Sequence, residues 1–179
     1  MSWKSKYNIE FKGLKEGLHD YQFEVNDKFF VHFEESLVDN GEVSVKVELE
    51  KRSAFLKLSF ALEGWLELVC DRCLDSYQQD VSLETELFVK FGEEDEFEDG
   101  DNVIWVLPEE HAINLAQIIY EYVTLSIPLR HVHPDESGEN GCNQEMIDRL
   151  NNITQFDAED DEEEIDPRWA ALKNLKNNN

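Results

Sequence analysis

The sequence predicts an α+β fold. It consists of a curved antiparallel β-sheet, open or barrel-like, covered by one amphipathic helix and followed by an acidic flexible C-terminal arm ending in a short helix. Three observations predict it. Apolar residues recur at every second position over long consecutive runs between residues 43 and 91, the period of strands with one wet face. They recur at helical spacing over residues 115–126. An acidic run then separates this body from a last apolar patch at Trp169, Leu172 and Leu175. The predicted division is a single α+β domain over residues 1–152, an acidic linker over 153–165 and a C-terminal amphipathic helix over 166–176.

Residues 7–24 read as two short strands, near 7–11 and 21–25, around a turn that holds Gly13 and Gly17. Asn26-Asp27 suits a helix cap and predicts a short helix over 28–34 that buries Phe29, Phe30 and Phe33; a strand is the competing reading. Val43, Val45, Val47 and Leu49 alternate with polar residues, as do Leu56, Leu58, Phe60 and Leu62. Gly64 then suggests a bulge or bend. Leu66, Leu68 and Cys70 share one face of the continuation, and Val81, Leu83, Leu87, Val89 and Phe91 repeat the pattern. Short links between such runs imply an antiparallel meander. A solvated loop at 93–101 and a strand at 103–107 follow. Asn114 with Gln117 resembles a capping box. Leu115, Ile118, Ile119, Tyr122 and Leu125 form the helix stripe, and Pro128 ends it. From residue 131 to 152 a loop or weak helix is expected, and the acidic run after it reads as disordered. Asp166 as cap and Pro167 at the first helical position begin the last helix. No internal repeat is present.

Composition bounds the function. The chain carries 16 basic and 41 acidic residues, a net charge of −25. Seven acids lie in 93–101 and eight in 157–166, with no base in either run, and the remainder is acidic too. Such a surface repels phosphate backbones and favours basic partners, among which ribosomal proteins are prominent; the plainer reading is solubility alone. No apolar stretch approaches the ~20 residues that span a bilayer, and residues 1–8 hold no apolar signal core. Three cysteines are too few for a disulfide framework, and the expectation is a reducing cytoplasm.

The chemistry-bearing motif is Cys70-Asp71-Arg72-Cys73, at the end of an alternating run. Two thiols at this spacing grip a soft metal or form a disulfide. Cys70, Cys73, Cys142 and His133 would complete a tetrahedral set, a structural zinc site, with His131 as the alternative fourth ligand. Plain packing at a hairpin end competes with this. Redox chemistry does too, but it wants a strand opening into a helix N-terminus, whereas Leu74-Asp75-Ser76-Tyr77 reads as a turn between strands. His19, His32 and His111 stand alone and read as surface or edge residues. No nucleophile elbow or phosphate loop occurs. Arg72 and Arg168 read as structural partners of nearby aspartates, Asp71 or Asp75 and Asp166. The terminal helix either folds back on its own sheet or docks in a groove of another protein.

Three features in order resemble the YceD family, the large ribosomal RNA subunit accumulation proteins. They are Cys70-Asp71-Arg72-Cys73-Leu74 on a strand, a leucine-rich helix running into Ile127-Pro128 with a His/Cys segment after it, and Asp166-Pro167-Arg168-Trp169 with Leu172 and Leu175. The resemblance spans residues 10–176. It implies a bacterial cytoplasmic factor, not an enzyme, needed for normal accumulation of large-subunit ribosomal RNA. Family genes often neighbour that of a small large-subunit ribosomal protein. Many members carry a second cysteine cluster after the helix; here only Cys142 is kept, so a surviving site is of mixed Cys/His type. The expected partner is a basic large-subunit ribosomal protein or a pre-ribosomal particle, held by the acidic arm and surface. Arg72, Asp166, Pro167, Arg168, Trp169, Leu172 and Leu175 are the motif residues expected to bind it. The rivals are an RNA-contacting factor with a local patch of Arg72, Arg130, Lys12 and Lys15, and a metal- or thiol-dependent enzyme.

Overall fold

The computed structural model describes residues 3–34, 36–92, 102–134 and 141–159, with side chains through Ile153. Its framework is one long meander. Strands β1 (Asn8–Glu10), β2 (Gly17–Val25), β3 (Gly41–Lys51), β4 (Phe55–Val69), β5 (Ser76–Phe91), β6 (Val103–Val106) and β7 (Ala112–Asn114) form two sheets. The larger has the order β2-β3-β4-β5-β6, and β1 pairs with β7 in the smaller. The alternation of β3, β4 and β5 sends Val43, Val45, Val47 and Leu49, then Leu56, Leu58, Phe60, Leu62, Leu66 and Leu68, to one buried face. Each fully buried leucine contributes about 2 kcal/mol by removing its apolar surface from water.

That inner face is covered by helix α2 (Ala116–Leu125), as the periodicity predicts. Tyr122 meets Phe60 edge-on at 5.0 Å between ring centroids. Ala116, Ile119 and Val123 are buried along the helix. Tyr120 stacks on Phe33 at 4.0 Å, which links α2 to the one-turn helix α1 (Asp27–Phe30). The Asn26 side chain caps α1 by accepting from the Lys28 N–H at 3.1 Å, so the helical reading of this segment holds for one turn, which ends at Phe30 rather than reaching residue 34.

The structure corrects the sequence reading in several places. The large sheet is open, with β2 and β6 as its edges and no pairing between them to close a barrel. The two N-terminal strands belong to different sheets, β1 to β7 and β2 to β3. β6 lies parallel to β5, Phe88 opposite Val103, rather than continuing the antiparallel order. Asn114 accepts from the Ala116 N–H at 3.1 Å, but Gln117 bonds Glu121 rather than reaching back, so the capping box is not reciprocal. Leu125, expected in the stripe, is 70% exposed. The stretch expected as a loop or weak helix contains helix α3 (Gln144–Glu159), its first amides capped by Asn143, and this helix runs on past residue 153 into the segment read as linker. The arm from residue 160 onward, with its expected short helix, lies outside the described residues.

Gly64 makes no bulge. It pairs with Val43 on one side and Val81 on the other in unbroken register, so β4 runs on through the expected break. A Cβ there would lie 2.1 Å from the Glu42 carbonyl oxygen and 2.7 Å from the Val43 Cα. The glycine is needed for close backbone approach in a twisted sheet. Gly64→Ala is therefore expected to destabilise the fold by about 3 kcal/mol through forced strand separation, read from the denaturant midpoint.

Candidate metal centre and the acidic face

β4 alternates inward through Leu66 and Leu68, and the next inward position is Cys70. The ladder continues one step past the strand, with the Cys70 N–H donating to the Asp75 carbonyl at 2.9 Å. The loop between them is tight. The Leu74 N–H donates back to the Cys70 carbonyl at 2.9 Å, and Leu74 takes a φ of 63°. This turn faces Cys73 inward beside Cys70; both thiols are buried.

The second half arrives from α2. After Pro128 the chain crosses the hairpin end and is clamped there by two hydrogen bonds. The Asp71 N–H donates to the His131 carbonyl at 2.7 Å, and the His131 N–H donates to an Asp71 carboxylate oxygen at 2.8 Å. Asp71 is thus used by the backbone of His131, and among the described residues neither Asp71 nor Asp75 pairs with Arg72 as the sequence reading supposed. The Arg72 Nε is buried without a hydrogen-bond partner. The pairing expected of Arg168 lies outside the described residues.

The clamp leaves the His131 ring half-exposed, 4.0 Å from Asp71. It points His133, two residues on, into the hairpin end, where its ring lies 4.9 Å from that of Tyr77. His133 Nδ1 is 3.5 Å from Cys73 Sγ and 3.7 Å from Cys142 Sγ. Cys142 Sγ is 3.8 Å from Cys70 Sγ. The four ligand atoms all lie within 4.8 Å of one another and all four residues are buried. Of the two histidines considered, the structure brings in His133 and leaves His131 out. His19, His32 and His111 lie away from this group: His19 bonds the Lys15 carbonyl and His32 stacks on Trp3. Cys70, Cys73, His133 and Cys142 form a group that could hold a metal ion.

Electrostatics splits the thiols. Burial pushes Cys70 up, but the N–H groups of Cys73, Arg72 and His133 and the His133 side chain outweigh it and lower the thiol to about 6. Burial pushes Cys142 up, and its hydrogen bonds to Cys70 and Cys73 and the Cys70 charge push it further. Without a cation the cluster thus favours one thiolate at Cys70 and a neutral Cys142, because adjacent like charges in a dry site are costly.

The opposite face of the sheet is wet. Residues of β2 to β5 that point outward include ten acids and three lysines, Lys46, Lys57 and Lys90, a net of seven negative charges. A cleft of about 780 Å³ crosses its middle, lined by Asp20, Lys46, Glu48, Ser59, Glu84 and Glu86 among others. Asp20 stands directly opposite Glu48 in the ladder, a like-charge pair that destabilises the sheet. These charges are countable in the sequence, but their gathering on one ordered face is set by the β2–β3 register, which no local pattern carries.

The four bases considered as an RNA patch do not meet. Lys51 donates to the carbonyls of Phe11 and Leu14, which fixes the loop bearing Lys12 and Lys15 at one end of the sheet. Arg72 and Arg130 lie beside the centre at the other end. The intervening length of β4 is on the order of 45 Å.

A family model described as "Large ribosomal RNA subunit accumulation protein YceD" matches residues 58–176, about two thirds of the chain. No curated protein and no solved structure matches.

The thiol assignment gives a titration to measure. In metal-free protein, thiolate ultraviolet absorbance should appear as pH rises through about 6. That step should vanish in Cys70→Ser and persist in Cys142→Ser. A single step near the ordinary thiol range would contradict the assignment.

Proposed function

Since the chain belongs to the YceD family, the large ribosomal RNA subunit accumulation proteins, we propose that it is a non-catalytic ribosome-biogenesis factor of the cytoplasm. In this reading it supports accumulation of large-subunit ribosomal RNA by binding a basic ribosomal protein and protecting it or delivering it to nascent RNA. The observation that carries the partner's chemistry is the ordered acidic face. A charge of −25 spread over tails would serve solubility alone. Net negative charge held on rigid strands, with Asp20 opposite Glu48, keeps a repulsion that a cationic partner relieves. No helix among the described residues is long and apolar enough to cross a membrane.

The centre is proposed to be a structural zinc site. Tetrahedral zinc with bonds of about 2.3 Å to sulfur and about 2.0 Å to nitrogen sets S···S edges near 3.8 Å and S···N edges near 3.5 Å. The spacings of 3.5, 3.7 and 3.8 Å fit that frame. Three thiols and one imidazole close the coordination shell, which leaves no position for substrate. When bound, the ion would neutralise the thiolates and cross-link the hairpin end to the segments that follow α2. The lowered Cys70 thiol is the one feature among the described residues that favours thiol chemistry, but its side chain is buried at the hairpin end among the other three ligands.

Purified protein should carry one zinc per chain by metal analysis. Cys73→Ser should lose it and His131→Ala should keep it. Protons compete for the same ligands, so zinc retention should fall as pH drops.

Pull-down from bacterial lysate at low salt should enrich basic large-subunit ribosomal proteins, and enrichment should fall at high salt as screening shortens. Glu48→Lys should stabilise the free protein by roughly 0.5 kcal/mol, because it removes a like-charge pair, while weakening this capture. Capture insensitive to both salt and Glu48→Lys would refute the charge mechanism.

A further inference from the structure

Beside the centre lies an apolar groove of about 540 Å³, walled by Leu37, Val69, Leu74, Ile127, Pro128 and Leu129. Leu37 and Leu74 are 73% and 67% exposed, and Leu129 is fully exposed. Single exposed leucines are ordinary; a cluster around one groove marks a surface that something covers. Leu74 strengthens the point. Its φ of 63° lies in the left-handed region, which costs an L-residue about 1 kcal/mol relative to glycine. The loop hydrogen bond to Cys70 holds it there. The backbone asks for glycine, yet the position carries a large apolar side chain facing solvent. Burial under a docked segment would offset that cost.

We propose that the groove is the seat of this chain's own end, residues 165–175, with Trp169 and Leu172 packed against Val69, Leu74 and Leu129. The chemistry matches: Trp169, Leu172 and Leu175 recur every third residue after Asp166-Pro167, one apolar face of a short helix. The length matches too. Cys70 lines the groove and its sulfur is 3.8 Å from that of Cys142, two residues before α3. The 16 residues of α3 carry the chain about 24 Å away at most. Residues 160–168 can span roughly 30 Å when extended, enough to return.

Charge selects this place over the sheet. The acidic run at 157–166 is repelled by the outer face of β2 to β5. The groove instead holds Asp71 on its wall for Arg168, with Asp75 one residue past Leu74 and Arg130 between the wall residues Leu129 and His131, so charges of both signs lie at this end. The family match also runs to residue 176, past the acidic run, so the terminal segment belongs to the same pattern as the groove walls. With its far end seated, the acidic run becomes a loop tethered at both ends rather than a free tail. This inference does not depend on which protein the factor binds.

The test places a photo-crosslinking benzoylphenylalanine at position 169 in the full-length protein, irradiated at high dilution. Crosslinks within one chain to residues 68–74 or 124–131 are expected. No crosslink, crosslinks between two copies, or crosslinks to other faces would each overturn the proposal. Because the probe replaces Trp169 itself, hydrogen exchange supplies a second reading on unlabelled chains. Amides in those two segments should exchange roughly tenfold faster in Trp169→Asp/Leu172→Asp than in wild type, with zinc content unchanged. Equal exchange overturns the proposal, as does protection in wild type that needs an added ribosomal-protein fraction.

Discussion

The convergence of three thiols and one imidazole at the tip of the β4–β5 hairpin is the contact on which the described segments after α2 depend. Past Pro128 the described chain buries little: His133 and Cys142 are enclosed, and Val132, Met146 and Ile147 are partly buried against the core. Three partly buried apolar side chains contribute a few kcal/mol at most. Ordering the backbone costs about 1–2 kcal/mol per residue. Apolar packing alone cannot hold these segments, so the cluster carries the attachment. The Asp71–His131 clamp and the Leu74 turn position its two halves before any cation is considered.

What could be read in the sequence follows from how local each signal is. The period-two runs of β3, β4 and β5 were legible because one face is buried and the other wet along their whole length. The inward place of Cys70 followed from Leu66 and Leu68 by the same rule. Gly64 was misread because its reason is a neighbouring strand's backbone, which no local pattern reports. The parallel sense of β6 is a relation to β5 that the strand's own four residues do not report. α3 is polar over most of its surface, and only Asn143 with Met146 and Ile147 marked it. The four ligands were named from spacing and residue type. The sequence names His133 with His131 as its alternative, and the reason His131 stays out, a carboxylate sixty residues earlier in the chain, is not local to either histidine.

The division of labour between the two sheet faces constrains what the protein can touch. The inner face is filled by α2 and by the aromatic cluster of Tyr7, Phe29, Phe30 and Phe33. The outer face of β2 to β5 remains as a broad, rigid surface, and its chemistry is carboxylate. The metal-ligand group sits at the end of this sheet rather than on it, so loss of the cluster would loosen the C-terminal segments without altering the acidic face. Attachment and recognition are thereby separable properties of one fold.

That separation also bears on how such a molecule could serve ribosomal RNA. Lys12 and Lys15 lie on the order of 45 Å of strand from Arg72 and Arg130, several times the Debye length of about 8 Å at physiological salt. The two pairs therefore do not sum into one positive field, and a phosphate backbone lying across both would cross the carboxylate face between them. Lys57, one of the few bases on that face, is already engaged by Glu86. A cationic protein layered on the sheet would invert the sign that the RNA meets. Contact with RNA then follows from the partner's charge, and the acidic face becomes the reason the partner is held rather than an obstacle to the task.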